Sequence, residues 1–263
     1  MINMSSSGKA FIYSIAGFFL GLFFIYRGTR RYLLLQKINN TPTSKVESAA
    51  IGLVELFGKA HYEGKMQSPI AKTKCAYWRL KAQYYKYGKH GGWKDIFTKD
   101  SGEPFYLKDE TGKILIDPKG AEIDIPEDHL YEGSITKKGI LNMLHNKMPE
   151  AVLEFLKEPG NEDMKNKIMW HKNEKVRIYE YFIAENDPLY VLGNAEPRKS
   201  IASDVAHENL IVKKGKYDKI MYVSDSHERK VIDRIKFNMV WNMAGGLILS
   251  AICLLIILWI LKI

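Results

Sequence analysis

Apolar residues are distributed unevenly along the 263-residue chain. Two long runs stand at its ends, and between them apolar and polar positions alternate. The first run extends from Ala10 to about Tyr26 and continues weakly through Tyr32–Leu35. It is short for a hydrocarbon core of ~30 Å, but a helix that continues past Arg27, with the guanidinium reaching toward headgroups, completes the span. The run ends in Arg27-Gly28-Thr29-Arg30-Arg31, not in a small-x-small cleavage site, so it reads as a retained anchor in preference to a signal peptide. The second run, Met239–Leu261, is long enough to cross unaided and carries Trp241 and Trp259 near its ends, where interfacial aromatics belong.

The pattern divides the chain into a first span at 10–35, a polar linker at 36–46, a β-rich domain at 47–224, and a juxtamembrane helix running into the second span at 225–262. Within the domain, Ala49–Tyr62 reads as a strand whose Gly58 suggests a bulge or bend. Cys75–Tyr87 alternates aromatic and polar residues and is the clearest strand. Asp109-Glu110-Thr111-Gly112 joins Phe105–Leu107 to Ile114–Ile116 as a hairpin with its glycine in the left-handed position. Asp117-Pro118-Lys119-Gly120 is a second turn leading to Ala121–Ile125. Further strands are expected at Val176–Ala184, Leu189–Ala195, Asn209–Val212 and Lys219–Val223. Pro149–Glu158, with Pro at a first-turn position and Pro159-Gly160 as its stop, reads as a helix inside a partly helical insert near 139–170. The fold class expected is α+β, mainly β: a barrel-like or two-unit β domain between two transmembrane helices. Leu56–Ala60 weakly resembles Val191–Ala195, as two related β units would.

Charge sharpens this picture. The net charge is +9, and the excess is juxtamembrane: Arg27, Arg30 and Arg31 follow the first run, while Arg229, Lys230, Arg234 and Lys236 precede the second. Residues 46–224 are close to neutral, so the domain lacks the footprint that nucleic-acid binding needs. The clusters suit anionic lipid headgroups, and the positive-inside rule places the domain in the cytoplasm of a cell membrane. Gly17-x-x-x-Gly21 and Gly246-x-x-x-Ser250 are faces that permit close helix approach, either between the two spans or in a homo-oligomer.

A resemblance runs through the whole of residues 10–260. Gly52, Glu55 and Gly58-Lys59-Ala60 are followed by Ser68-Pro69 and Cys75-Ala76-Tyr77-Trp78-Arg79. Phe105-Tyr106-Leu107-x-Asp109-x-Thr111-Gly112 and Ile116-Asp117-Pro118-x-Gly120-Ala121 come next, then Tyr179-Glu180, Tyr190-Val191-Leu192-Gly193-x-Ala195 and Tyr222-Val223-Ser224-Asp225. In this order, between two spans, they resemble the GIDE-type (MULAN, "beside a membrane") family. The resemblance implies a membrane-side recognition domain. In organelle members that domain precedes a RING carrying ubiquitin E3 ligase activity. This sequence has no CxxC pair and stops at Lys262-Ile263, so a RING-less, prokaryotic-type member without ligase activity is expected.

Candidate chemistry is sparse. The two cysteines, Cys75 and Cys253, offer no disulfide framework, and His207-Glu208 lacks the second histidine of HExxH. His90-Gly91-Gly92-Trp93 is either a ligand-facing loop or a turn. Asp109, Thr111, Asp117 and Asp124 carry oxygens that suit a cation or, equally, backbone bonds in turns. Tyr77 and Arg79 alternate onto one strand face as a possible partner patch. Met143, Met148 and Met164 suit core packing. No metal and no cofactor is expected. The partners expected are the bilayer and membrane proteins or a second copy of the chain, in a recognition or scaffold module. The alternatives are a pocket near 88–93 and 109–124, enzymatic or ligand-binding, and an adaptor of a ligase-like or stress system.

Overall fold

The computed structural model describes residues 6–89, 91–135, 148–198, 209–216, 219–225 and 228–261. In chain order the elements are α1 (Ser6–Asn40), β1 (Thr43–Ser44), a 3-10 turn at Val46–Ser48, β2 (Gly52–His61), β3 (Cys75–Lys86), β4 (Gly92–Asp100), β5 (Phe105–Lys108) and β6 (Lys113–Ile116). They continue as β7 (Glu122–Asp124), β8 (His129–Gly133), α2 (Glu150–Phe155), α3 (Glu162–Met169), β9 (Val176–Ala184), β10 (Pro188–Pro197), β11 (Leu210–Lys213), β12 (Tyr222–Ser224) and α4 (Glu228–Leu261). Two compact units result, one of the terminal helices and one of residues 43–226. The fold is α+β with mainly strands.

Both terminal helices are long and apolar enough to cross a membrane. Phe19, Phe23, Leu247, Leu255 and Trp259 point outward, while Ser14, Gly21 and Gly28, seven residues apart, are buried. That interval is the repeat of helices packed with a left-handed supercoil. The helices run antiparallel: Gly17 faces Cys253, Gly21 faces Gly246 and Ser250, and Gly28 faces Met243. A Cβ built on Gly21 would lie 2.8 Å from the Gly246 carbonyl oxygen and 2.9 Å from the Ser250 Cβ, so only glycine fits. The α1 helix continues to Asn40, leaving less of the expected 36–46 linker than the polar run Asn39–Ser44 suggested. Arg27, Arg30 and Arg31 lie on α1, and Arg229, Lys230, Arg234 and Lys236 lie on α4.

In the other unit, β2, β5, β6, β11 and β10 form a closed barrel, the last strand pairing back onto the first. Among these five the spatial order is first, second, third, fifth, fourth. Only β6 and β11 are parallel, an arrangement found in OB-type Greek-key barrels. Alternation along each strand fills the interior: Val54, Leu56 and Ala60 from β2 meet Phe105, Leu107, Ile114, Ile116, Leu189, Val191 and Val212. Gly58 is not a bulge: its register to β10 runs unbroken, and the pairing with β5 begins at the next residue, Lys59. A Cβ there would stand 2.5 Å from the Lys108 carbonyl oxygen, so the residue is small to let two backbones approach. Gly193 instead leaves room for side chains: a Cβ there would stand 2.5 Å from the Met221 sulfur and 2.7 Å from a Val212 methyl.

The second sheet is antiparallel, in the order β4-β3-β9-β8, and is assembled from two insertions into the barrel sequence. Helices α2 and α3 cover one face, where Met148, Val152, Phe155, Met164 and Ile168 pack on Leu80, Ala82, Val176 and Ile178. Met148 and Met164 are thus core residues, while Met143 and His207-Glu208 lie outside the described residues. Pro149 is the cap of α2, one position ahead of the first turn. Register irregularities of this sheet fall at Ala82/Gln83 and at Cys75/Tyr77 in β3.

On the same covered face, Glu180 is fully buried and accepts hydrogen bonds from the Ile70 amide at 2.8 Å, the Ala71 amide at 3.1 Å and the Tyr131 hydroxyl at 3.0 Å. It thereby fixes the tight loop after Ser68-Pro69, in which Lys72 has φ 58°. Cys75 begins β3 with no exposure, and burial, aided by the Glu180 charge, pushes its thiol up to about 12. Maleimide is expected to leave Cys75 unmodified in the folded protein and to label it quantitatively in denaturant, read by peptide mass mapping. Rapid native labelling would show that the loop opens.

Candidate functional site

The uncovered face of the second sheet follows from its register. Arg79 stands opposite Tyr181, Lys81 opposite Tyr179 and Gln83 opposite Arg177. On the other side of β3, Tyr85 stands opposite Trp93 and Gln83 opposite Asp95. Because side chains alternate, all these residues point away from α2 and α3, and all but the buried Gln83 retain exposure.

Arg177 is the hub. Its guanidinium carbon lies 3.9 Å from the Trp93 ring centre and 4.9 Å from that of Tyr179. Its Nε donates to the Gln83 carbonyl oxygen at 2.8 Å, and the Gln83 amide donates onward to Asp95. Tyr85 meets Trp93 edge-on at 5.4 Å, and Tyr181 stacks beside Tyr179 at 6.2 Å. At the far end Arg79 lies 5.8 Å over Tyr77 and 3.5 Å from Asp100, to which the Tyr77 hydroxyl also donates at 3.2 Å. Burial pushes the Tyr77, Tyr179 and Tyr181 phenols up, so they are neutral hydrogen-bond donors at ordinary pH. The face offers stacking surface, cation–π partners and fixed donors, a composition that suits binding.

Trp93 and Arg79 thus belong to one sheet face, whereas Tyr77, expected as a partner residue, is buried in the barrel core against Phe105 and meets that face only through Arg79 and Asp100. His90 lies outside the described residues. Arg177, Tyr179 and Tyr181 were not singled out from sequence, although Arg177-x-Tyr179-x-Tyr181 carries the period-two signal on an expected strand.

Asp109 and Asp117 are elsewhere. One Asp109 oxygen accepts from the Thr111 amide at 2.7 Å, the Thr111 hydroxyl at 2.7 Å and the Gly112 amide at 3.0 Å; the other accepts from the Val46 amide at 2.8 Å. This carboxylate builds the hairpin, and Gly112 has no positive φ, contrary to the expectation for it. Asp117 accepts from the Lys119 amide at 3.1 Å in the next turn, and the Asp124 carboxylate accepts from Tyr222. Asp109 borders a groove of roughly 520 Å³ on the barrel, which neither Trp93 nor Asp117 lines. Among the described residues no group of three or more His, Cys, Asp or Glu is arranged to hold a metal ion.

Burial opposes ionisation of Asp109, but its hydrogen bonds together outweigh this and hold the carboxyl below its ordinary value. Glu185 is likewise opposed by burial and held low by His61 and the Tyr62 amide. A carboxyl lowered on folding stabilises the fold above its unfolded value, about 4, and loses that contribution as pH falls through the folded value. Urea midpoints of the detergent-solubilised protein are therefore expected to fall as pH drops below about 4. Asp109→Asn should flatten that decline; an unchanged acid limb would contradict the assignment.

Comparison with known protein families, with curated proteins and with solved structures finds no match for the chain.

Proposed function

We propose that the protein is a membrane-anchored recognition or scaffold module that holds a partner protein on the Trp93–Arg177–Tyr179–Tyr181 face, with the domain on the cytoplasmic side. The observation that carries this reading is the clustering of one Trp, two Arg and several Tyr on the sheet face opposite the helices. Trp, Tyr and Arg dominate the energetics of protein interfaces because they bury large area at low rotamer cost and keep a polar handle. Two helices apolar enough to span, with flanking arginines and lysines, fit a module fixed at a bilayer. The resemblance to the membrane-side domain of GIDE-type proteins points the same way.

The test is site-specific photo-crosslinking in native membranes from Leu130, an exposed residue opposite Tyr179. One reproducible protein adduct is expected, and Trp93→Ala with Arg177→Ala should lower its yield by roughly tenfold or more, as interface anchors do. Absence of any reproducible adduct, or a yield indifferent to both substitutions, would remove the proposal. An enzymatic reading has less support, because among the described residues Asp109 lines the barrel groove and Trp93 and Asp117 do not.

A further inference from the structure

Lys59 and Lys108 stand directly opposite each other in the β2–β5 ladder. Like charges at directly paired positions of an antiparallel sheet repel and cost stability. Among the described residues neither lysine has an ion-pair partner, whereas their neighbours do: Lys45 pairs with Glu110, Lys113 with Glu63 and His61 with Glu185. Both lysines line the barrel groove of roughly 520 Å³, with the partly exposed Phe57 ring between β2 and the solvent. Asp109, an acid on the same groove, has its oxygens engaged by the Thr111, Gly112 and Val46 groups. Those donors are neutral, so with Lys45 and Glu110 paired the groove keeps the two ammonium charges against the one Asp109 carboxylate, a net positive charge.

The groove floor is backbone. Gly58, between Phe57 and Lys59, lacks the Cβ that would press on the Lys108 carbonyl, so the two strands lie close where the lysines project. Opposed residues of an antiparallel pair have Cα atoms about 4.5–5.5 Å apart, and long lysine side chains from there can converge on one tetrahedral anion. Such an anion relieves the repulsion that the bare pair suffers and meets the net positive charge of the groove. Lysine binds phosphate in this way, as a compact point charge.

We infer that the Lys59–Lys108 groove is a binding site for a phosphate group, with Phe57 packing against the organic part of the molecule that bears it. That group is either the headgroup phosphate of an anionic lipid or that of a soluble phosphorylated molecule. The lipid source rests on the membrane-anchored reading; the soluble source does not.

The full chain in nanodiscs is labelled with an amine-acylating reagent, and modification of each lysine is followed by mass spectrometry. One arm compares phosphatidylcholine discs with discs also containing phosphatidic acid. The other compares inorganic phosphate with chloride at matched ionic strength in phosphatidylcholine discs. Saturating occupancy is expected to slow acylation of Lys59 and Lys108 about tenfold, the protection that ligand at roughly ten times its Kd confers, while exposed Lys119 changes little. Lys108→Gln should abolish protection of Lys59, and without anion it should leave thermal stability equal or higher, because it removes a repulsion. Protection only with phosphatidic acid assigns the site to a lipid headgroup; protection only with phosphate assigns it to a soluble ligand; both support the shared chemistry. Protection in neither arm, equal protection of Lys119, or protection of Lys59 that survives Lys108→Gln would overturn the site. None of these outcomes depends on the Trp93–Arg177 face.

Discussion

Glu180→Ala is expected to destabilise the soluble unit by about 3–5 kcal/mol, because it strips the acceptors from three groups at once. The carboxylate sits at zero exposure between the covered face of the second sheet and the loop after Ser68-Pro69. It satisfies the Ile70 and Ala71 amides and the Tyr131 hydroxyl. An unsatisfied buried donor costs about 1–3 kcal/mol, and alanine leaves a void in which these donors cannot all reach water. Glu180→Gln keeps one acceptor but turns an amide donor toward other donors, so a smaller loss of about 1–2 kcal/mol is expected. Urea unfolding of the detergent-solubilised chain, followed by tryptophan fluorescence, measures both. A loss below about 1 kcal/mol for the alanine variant would mean that the loop rehydrates at little cost.

The second large effect concerns the terminal helices. A Cβ on Gly17 would lie 3.9 Å from the Cβ of Cys253, within the separation of about 3.5–4.5 Å that a disulfide spans. Gly17→Cys is therefore expected to crosslink to native Cys253 within one chain under mild oxidation, giving a product that migrates as a monomer. Adding Gly21→Leu should lower that yield roughly tenfold. Its side chain would meet the Gly246 carbonyl and Ser250 at under 3 Å, and overpacking of this kind costs about 1–3 kcal/mol or more. A predominantly dimeric product would instead assign the glycine face to association between copies.

Several features were legible in the sequence because they depend on local pattern. The end helices announce themselves by apolar length, β3 and β9 by alternation, and the Asp109 and Asp117 turns by residue type. The strands that were missed, β1, β4 and β8, are sheet edges; Trp93-Lys94-Asp95 and Lys99-Asp100 carry no clear alternation because an edge strand tolerates charge on both faces. Nor does any local signal say that β2 pairs with β10, or that Ser68-Pro69 and Tyr179-Glu180 meet. Closure of the barrel and burial of Glu180 are long-range events. Part of the candidate face was visible in Arg79 and Trp93, while Tyr77 proved to be barrel core; the hub is Arg177, whose importance arises only when β9 is laid against β3.

The barrel's closing seam has a consequence for how the chain is made. Gly52 pairs with Ala195 across β2 and β10, and the whole second sheet lies between them in sequence. Loop closure over such a distance precedes any reward from the contacts it forms, so topologies of this kind fold slowly. During synthesis from the N-terminus, β2 emerges with both its major partners absent, and its ladder groups stay open until β10 has been translated. Nascent chains arrested before Ala195 should therefore be protease-sensitive and prone to associate through that open strand, whereas chains arrested after β12 should become resistant as a single step.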